Sequence, residues 1–283
     1  MKHREIEHDF FLFNGSLLPV SEFDPEQVTQ YPSVYEVIRI VEGVPLFWEA
    51  HLKRMQRSLT LTGSSSDFNY EMLHKEILQL IRENNTVNHN LKIVMNRLEE
   101  GKMKHRYLFF ITSRYPTARQ LAEGVPVITH QAVRQTPHAK LISLDFRIPI
   151  LEALERSGAY EALLVNDAGE VTEGSRSNFF VMHNDHFYTP PSDKVLEGIT
   201  RQVVINLLDR LGFPLIYQPV TTSFLQEADG LFLTGTSPGI LPVNKVDEQT
   251  YRSSDLKSLK DLQQFYTHFI KTYILIHQQE VSL

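Results

Sequence analysis

The chain has 283 residues, 28 Lys+Arg against 34 Asp+Glu for a formal charge of −6, and 42% hydrophobic and 22% charged residues. That length suits about two domains at roughly 150 residues each, with a core large enough to fold without disulfides or a structural metal. The acidic balance excludes a general phosphate-backbone binder and the globular composition excludes disorder and fibre; the lack of cysteine excludes disulfide frameworks, thiolate metal sites and a thiol nucleophile.

The opening predicts β structure. FFLF, Asn14-Gly15 and SLLPV spell a hairpin, because Asn-Gly accepts the positive φ values of a tight turn. Val34–Ile40 and Val44–Trp48 form a second pair of runs around Glu42-Gly43. The first residues place charges where a signal peptide needs an apolar core, and no run is long and apolar enough to span a bilayer. The expectation is a cytoplasmic protein without membrane or nucleic-acid partners. From Glu49 the period changes, with Leu52, Met55 and Leu59 marking a helix that ends near Gly63. A second helix is predicted over Tyr70–Glu83, with Leu73, Ile77, Leu80 and Ile81 inward, followed by strands at Leu91–Met95 and Tyr107–Thr112.

SRYPTARQLAEG breaks the pattern with Pro116 and Gly124 and reads as a linker, dividing the chain into an N-terminal domain (1–115), a linker (116–123) and a C-terminal domain (124–283). Beyond it VPVITHQAVR and AKLISLDF look β-like, and Pro149 opens a helix that Gly158 closes. ALLVND, VTEGSRSNFFVM and HFYTPP read as a meander. A helix over Ile199–Leu211 stops at Gly212 and Pro214, a strand over Asp229–Thr234 leads into GTSPG, and Asp255–Gln278 is a closing amphipathic helix. Helices and strands mix without strict alternation, which argues two α+β domains.

Phosphate-loop, dinucleotide, nucleophile-elbow and zincin motifs are absent, and His183 and His186 sit in a polar HNDH turn, so no metal is expected. Four places are unusual. Lys140 shares strand parity with the apolar Ile142, Leu144 and Phe146; it is either a lysine snorkelling to water or a desolvated amine suited to Schiff-base chemistry. Glu173 heads a run of small polar residues, as either a plain turn or a carboxylate for a protonated ring nitrogen. Gly198-Ile199-Thr200 opens a helix and GTSPG follows a strand, as either an ordinary cap and turn or bare N–H groups and a Thr236 hydroxyl for a phosphate. In HLKRM, His51 and Arg54 share one helical face, Arg54 being either a solvated surface residue or a ligand.

In their order along the chain, VYEVIR, HLKR, the lone Lys140, VTEGSRSNFF, YTPP, GITR and LTGTSPGILPV resemble the fold type IV pyridoxal-phosphate enzymes, from about Phe13 to Val246. That family holds the branched-chain and D-amino acid aminotransferases and aminodeoxychorismate lyase. The resemblance implies a smaller N-terminal α/β sandwich-like domain and a larger β-rich C-terminal domain with helices. It implies pyridoxal 5'-phosphate as cofactor, bound covalently by Lys140, with Glu173 on the pyridine nitrogen. Arg54, Ile199, Thr200 and Thr236 would hold the phosphate, and Ser177 and Asn178 would edge the cofactor. Tyr35, Lys92 and Ser237 would face an amino acid or 2-oxo acid substrate. It further implies a site completed by a second subunit, hence a homodimer. Two features depart from the pattern: Asp145 stands where the branched-chain enzymes place a Tyr, and QYPSVYE replaces a Gly-rich lead. Lys92 in LKIVMNR is similar to the lyase, yet EEGKMKHR replaces the lyase's Gly- and Arg-rich loop, and Lys104-His105-Arg106 does not reproduce the D-amino acid enzymes' carboxylate clamp. The expected activity is transamination, with the lyase or a non-catalytic cofactor-binding protein as alternatives.

Overall fold

The computed structural model describes residues 6–64, 69–97 and 102–281. The charged residues at 2–5 and Glu99, Glu100 and Gly101 of the EEGKMKHR stretch lie outside the described residues. The chain forms two compact units, one taking the residues up to Arg114, Ala139–Ile142 and the chain from Ile270, the other taking Tyr115–His138 and Ser143–Phe269. The first unit's main stretch ends at Arg114, and 139–142 and the end of the chain group with it.

The first unit contains β1 (Ile6–Phe13), β2 (Ser16–Pro19), α1 (Pro25–Thr29), β3 (Ser33–Val41), β4 (Val44–Pro45), α2 (Trp48–Leu61), α3 (Tyr70–Glu83), β5 (Asn88–Arg97) and β6 (Met103–Ile111). Its sheet runs β2-β1-β6-β5-β3-β4. Leu52, Met55 and Leu59 of α2 and Leu73, Ile77 and Leu80 of α3 pack against Ile38, Ile40, Leu91, Ile93, Leu108 and Phe110, which covers one sheet face. The central β5 is therefore buried on both sides, and its opposite face carries Val94 beside Tyr107, Phe109 and the partly buried Tyr35 and Ile142.

The second unit contains α4 (Ala118–Glu123), β7 (Val125–Gln131), α5 (Leu144–Ser157), β8 (Glu161–Val165), β9 (Glu170–Gly174), β10 (Asn178–His183), β11 (His186–Thr189), α6 (Ile199–Arg210), β12 (Leu215–Tyr217), β13 (Val220–Thr221), α7 (Thr222–Glu227), β14 (Gly230–Gly235), β15 (Gly239–Val246) and β16 (Gln249–Thr250). The order β12-β11-β10-β14-β15-β7-β8-β9-β13 makes one large sheet, with β16 on β15. The last helix, α8 (Lys257–Val281), packs Leu259 and Leu262 into the second unit's core and Ile274 against Val44 and Leu46 of the first. No helix among the described residues is long and apolar enough to cross a membrane.

Two local expectations are corrected. The linker region carries α4, closed at its start by a capping box between Thr117 and Gln120. AKLISLDF is not a strand: only Leu141 makes a bridge, to Val34, and the helix begins at Leu144 because the Ser143 side chain accepts the Phe146 N–H at 3.4 Å. Pro149 therefore lies inside α5, and Gly158 closes the helix at φ 67° as expected. The α+β class itself is the one observed.

Candidate active site

The first group of residues begins on β3. Its alternation buries Val34, Glu36, Ile38 and Ile40 together, so a carboxylate lies among aliphatic side chains. Such a group is tolerated only with partners, and α2 supplies them. Arg54 donates from Nε to Oε1 and from Nη2 to Oε2 of Glu36, both at 2.7 Å, and His51 Nδ1 lies 2.8 Å from Oε2. Glu36 is 0% exposed. Burial alone would raise its carboxyl pKa, but Arg54, by charge and hydrogen bonding, and then His51 bring it far below the usual carboxylate range. Burial outweighs the Glu36 hydrogen bond at His51 and holds that imidazole below the usual histidine range.

His8 and His105 are shifted the same way, chiefly by burial. A histidine with a lowered folded pKa binds its proton more readily in the unfolded chain, so stability is complete above about pH 6.5 and is lost as the pH falls below it. The denaturant midpoint is expected to decline steadily between pH 7 and pH 5; a flat profile would mean that these imidazoles titrate alike in both states.

Lys140 belongs to this same group. Its N–H donates to Ser58 Oγ at 3.2 Å, its carbonyl accepts the Tyr35 N–H at 3.0 Å, and the Ile142 N–H reaches Ser33 O at 3.0 Å. The backbone is thus pinned on both sides of the lysine although it lies outside any strand. Its Nζ stands 4.7 Å from the centroid of the Tyr35 ring. Lys92, on β5, is buried with Nζ 5.5 Å from the Tyr35 ring and 5.7 Å from that of Phe109. Tyr35, Arg54, Lys92 and Lys140 are therefore brought together.

The basic 104–106 run is used differently. Arg106 forms a two-pronged pair with the carboxylate of Glu76 at 3.0 and 2.5 Å, and Lys104 Nζ donates to Tyr31 OH at 2.5 Å. Asp145 is exposed in the first turn of α5.

In the second unit Glu173 lies next to the end of β9. Arg134 Nε donates to its Oε1 at 2.9 Å and Arg134 Nη2 to Ser175 O at 3.3 Å, while the Leu196 N–H reaches its Oε2 at 3.4 Å. The turn that follows is organised by a second buried acid, Glu161 on β8. Its carboxylate accepts the Ala162 N–H (2.9 Å), Ser175 Oγ (2.5 Å), the Arg176 N–H (3.3 Å) and Ser177 Oγ (3.1 Å). The small polar residues of EGSRSN thus build the turn that presents Glu173. Asn178 Nδ2 donates to Leu196 O at 2.9 Å, which ties the same turn to the approach to α6.

α6 starts at Gly198 with no side-chain cap, and Ile199 and Thr200 are buried in its first turn. A Cβ on Gly198 would stand 2.0 Å from Asn178 Oδ1. Asn178 cannot swing aside without giving up Leu196, so Gly198→Ala is expected to cost about 1–3 kcal/mol, read as a lowered melting temperature; an unchanged melting curve would refute this packing argument. Thr236 and Ser237 lie in the turn after β14, just beyond Thr234, which pairs with Asn178 and whose buried hydroxyl has no partner among the described residues. An uncapped helix start with a threonine hydroxyl suits a phosphate. The nearby buried carboxylate suits a protonated ring nitrogen, so the second unit's donors fit the phosphate and ring of pyridoxal 5'-phosphate. In the first unit, the pinned amine of Lys140 suits the aldehyde of the same cofactor.

Residues 33–246 match the family described as amino-transferase class IV. The chain belongs to that family. The D-alanine aminotransferase of Bacillus licheniformis is 30% identical over 256 residues, spanning 86% of this chain and 90% of that protein. The D-alanine aminotransferase of Staphylococcus epidermidis is 26% identical over 252 residues, 85% of this chain and 89% of that one. Among solved structures, the branched-chain aminotransferase of Thermoproteus uzoniensis with norvaline has a TM-score of 0.82 at 22% identity and covers 95% of this chain and 98% of that one, which establishes the shared fold. As a class IV aminotransferase the protein is a pyridoxal-phosphate enzyme that transfers amino groups between amino acids and 2-oxo acids.

Three residues that brace the candidate site escape sequence reasoning: Glu36, Arg134 and Glu161. Glu36 carries a faint signal, an acid in step with Val34, Ile38 and Ile40 on a buried strand face. The others depend on partners brought close only by folding.

Proposed function

We propose that Lys140 is the catalytic amine of this aminotransferase. The observation that carries the reading is its pinned backbone beside the Tyr35 ring, with Nζ 4.7 Å from the ring centroid. When bound, the cofactor supplies an aldehyde carbon for exchange of the amino group and a cationic ring that draws electrons from the substrate Cα. Lys140 Nζ would take the proton from the substrate Cα as base, hold it, and give it up again as acid. Glu173 accepts the ring N–H and keeps that nitrogen protonated, while Arg134 keeps the carboxylate oriented. The Ile199 and Thr200 amides and the Thr236 hydroxyl hold the phosphate. Arg54 contributes positive charge to it, although its Nε and Nη2 are engaged by Glu36. Ser177 and Asn178 wall the cofactor by shaping their turn.

Tyr35, Lys92 and Ser237 face the substrate, Lys92 offering its ammonium to a carboxylate. A buried cation at that place also favours the lyase reading, in which an acid derived from chorismate is cleaved to 4-aminobenzoate and pyruvate. A homodimer in the cytoplasm completes the assignment.

The test is a panel of purified holoenzyme with L- and D-alanine, branched-chain amino acids and glutamate against 2-oxo acids, with aminodeoxychorismate in a separate arm. Keto acid from at least one pairing supports the assignment. Pyruvate and 4-aminobenzoate with no transamination would transfer it to the lyase.

A further inference from the structure

Arg201 has no part in the reaction as drawn above, yet it is among the most costly side chains in the fold. It is 1% exposed in the first turn of α6. Its guanidinium donates to three neutral acceptors: Thr189 Oγ1 at 3.3 Å from Nε, Ser192 Oγ at 3.1 Å from Nη1 and Pro190 O at 2.8 Å from Nη2. The Tyr217 ring lies 5.8 Å from its central carbon.

Two penalties coincide here. A buried cation bonded only to neutral groups recovers little of its lost hydration. A positive charge in the first turn also opposes the helix dipole, whose positive end is already there. The nearest acids act on it through space: Glu197, and Glu173, which itself pairs with Arg134. Thr189, Pro190 and Ser192 satisfy the hydrogen bonds of Arg201, but they supply no counter-charge. Hydrogen bonding alone does not require a charged donor at this position.

We infer that Arg201 is an electrostatic positioning residue for the cofactor phosphate: its buried charge adds to the field of the α6 start and is balanced by the dianion bound there, without touching it. This rests on the reading of Ile199 and Thr200 as the phosphate cradle. Both penalties then reverse, because a cation in a low-dielectric surround strengthens anion binding more than the same charge in water. The charge is fixed by three bonds to the last residue of β11 and the segment that follows it, so it needs no rearrangement when the anion arrives.

The experiment compares the affinities of apo-protein for pyridoxal 5'-phosphate and for pyridoxal, which lacks the phosphate, by absorbance titration of wild type, Arg201→Gln, Arg201→Lys and Ser192→Asp. The wild type is expected to prefer the phosphate ester strongly. Arg201→Gln should reduce that preference at least about tenfold with pyridoxal binding unchanged, and Arg201→Lys should restore most of it. Ser192→Asp places a carboxylate beside Nη1, neutralises the cation in place and should reduce the preference even if Arg201→Gln does not fold. A preference unaltered by Ser192→Asp, or equal weakening of both ligands in Arg201→Gln, would overturn the inference while leaving the cradle intact. A wild type that does not distinguish the two ligands would overturn the cradle reading itself, and the inference with it.

Discussion

Lys140→Ala is expected to reduce transamination by at least about 10⁴-fold, because it removes both the amine that exchanges with substrate and the acid–base group at Cα. The same substitution should leave the melting temperature within a few degrees of wild type. The Lys140 side chain is only partly buried. The contacts that hold its segment in place, to Ser58, Tyr35 and Ser33, use main-chain atoms that alanine retains. Activity and stability therefore separate at this residue, and parallel assays of turnover and thermal unfolding test that separation. Turnover surviving in the alanine variant would remove Lys140 from the mechanism. A collapse of stability would mean that its ammonium, over the Tyr35 ring, is part of the core.

The opposite pattern is expected at Glu36. Arg54→Met takes two hydrogen bonds and a counter-charge from the fully buried Glu36 carboxylate and leaves it the one to His51 described above, and Glu36→Leu takes the carboxylate from between Arg54 and His51. Each should cost about 3–5 kcal/mol in urea unfolding, while the double variant, which removes both charges, should recover much of the loss. Acid should expose the same dependence. The folded-state pKa of Glu36 is depressed, so its contribution is complete above the unfolded value near 4.3 and fades as the pH falls below it. Single variants costing under about 1 kcal/mol would show that water or a rearranged Arg54 compensates at this site.

Elements with one apolar face were legible in the sequence. Leu52, Met55 and Leu59 placed α2, and Leu73, Ile77, Leu80 and Ile81 placed α3, because core packing and helical periodicity select the same residues. α5 was obscured for the opposite reason. Leu144, Ile148 and Leu151 are apolar but exposed, so no polar face offsets the buried one, and the nearby Lys140 segment looked like strand. The decisive signal was the single cap at Ser143. At the site, residues offering a distinctive chemical group in a distinctive local setting were legible: a lysine among apolar residues, an acid heading a polar turn, a helix opening on Gly-Ile-Thr. The acids and cations that brace them were not, since Glu36 with Arg54, Glu161 with Ser177, and Arg134 with Glu173 are joined only by tertiary structure. In the EGSRSN run, where Ser177 and Asn178 are expected to edge the cofactor, the Ser175 and Ser177 hydroxyls donate to Glu161, a partner that no local spacing announces.

The return of Ala139–Ile142 to the first unit, and of the chain from Ile270, has a consequence for biosynthesis. A ribosome that has released only the stretch through Arg114 has made most of the first unit's sheet, but neither the bridge to Val34 nor the covering of Val44 and Leu46 by Ile274 exists. These are contacts of large sequence separation, which form late because a long loop must close before they contribute. The first unit should accordingly mature after the second, with its edge at Val34 exposed to chaperones or to other nascent chains in the interval. The residue proposed to do the chemistry is carried on the segment that closes that edge, so the enzyme gains its reactive amine only when its earliest-made part is complete.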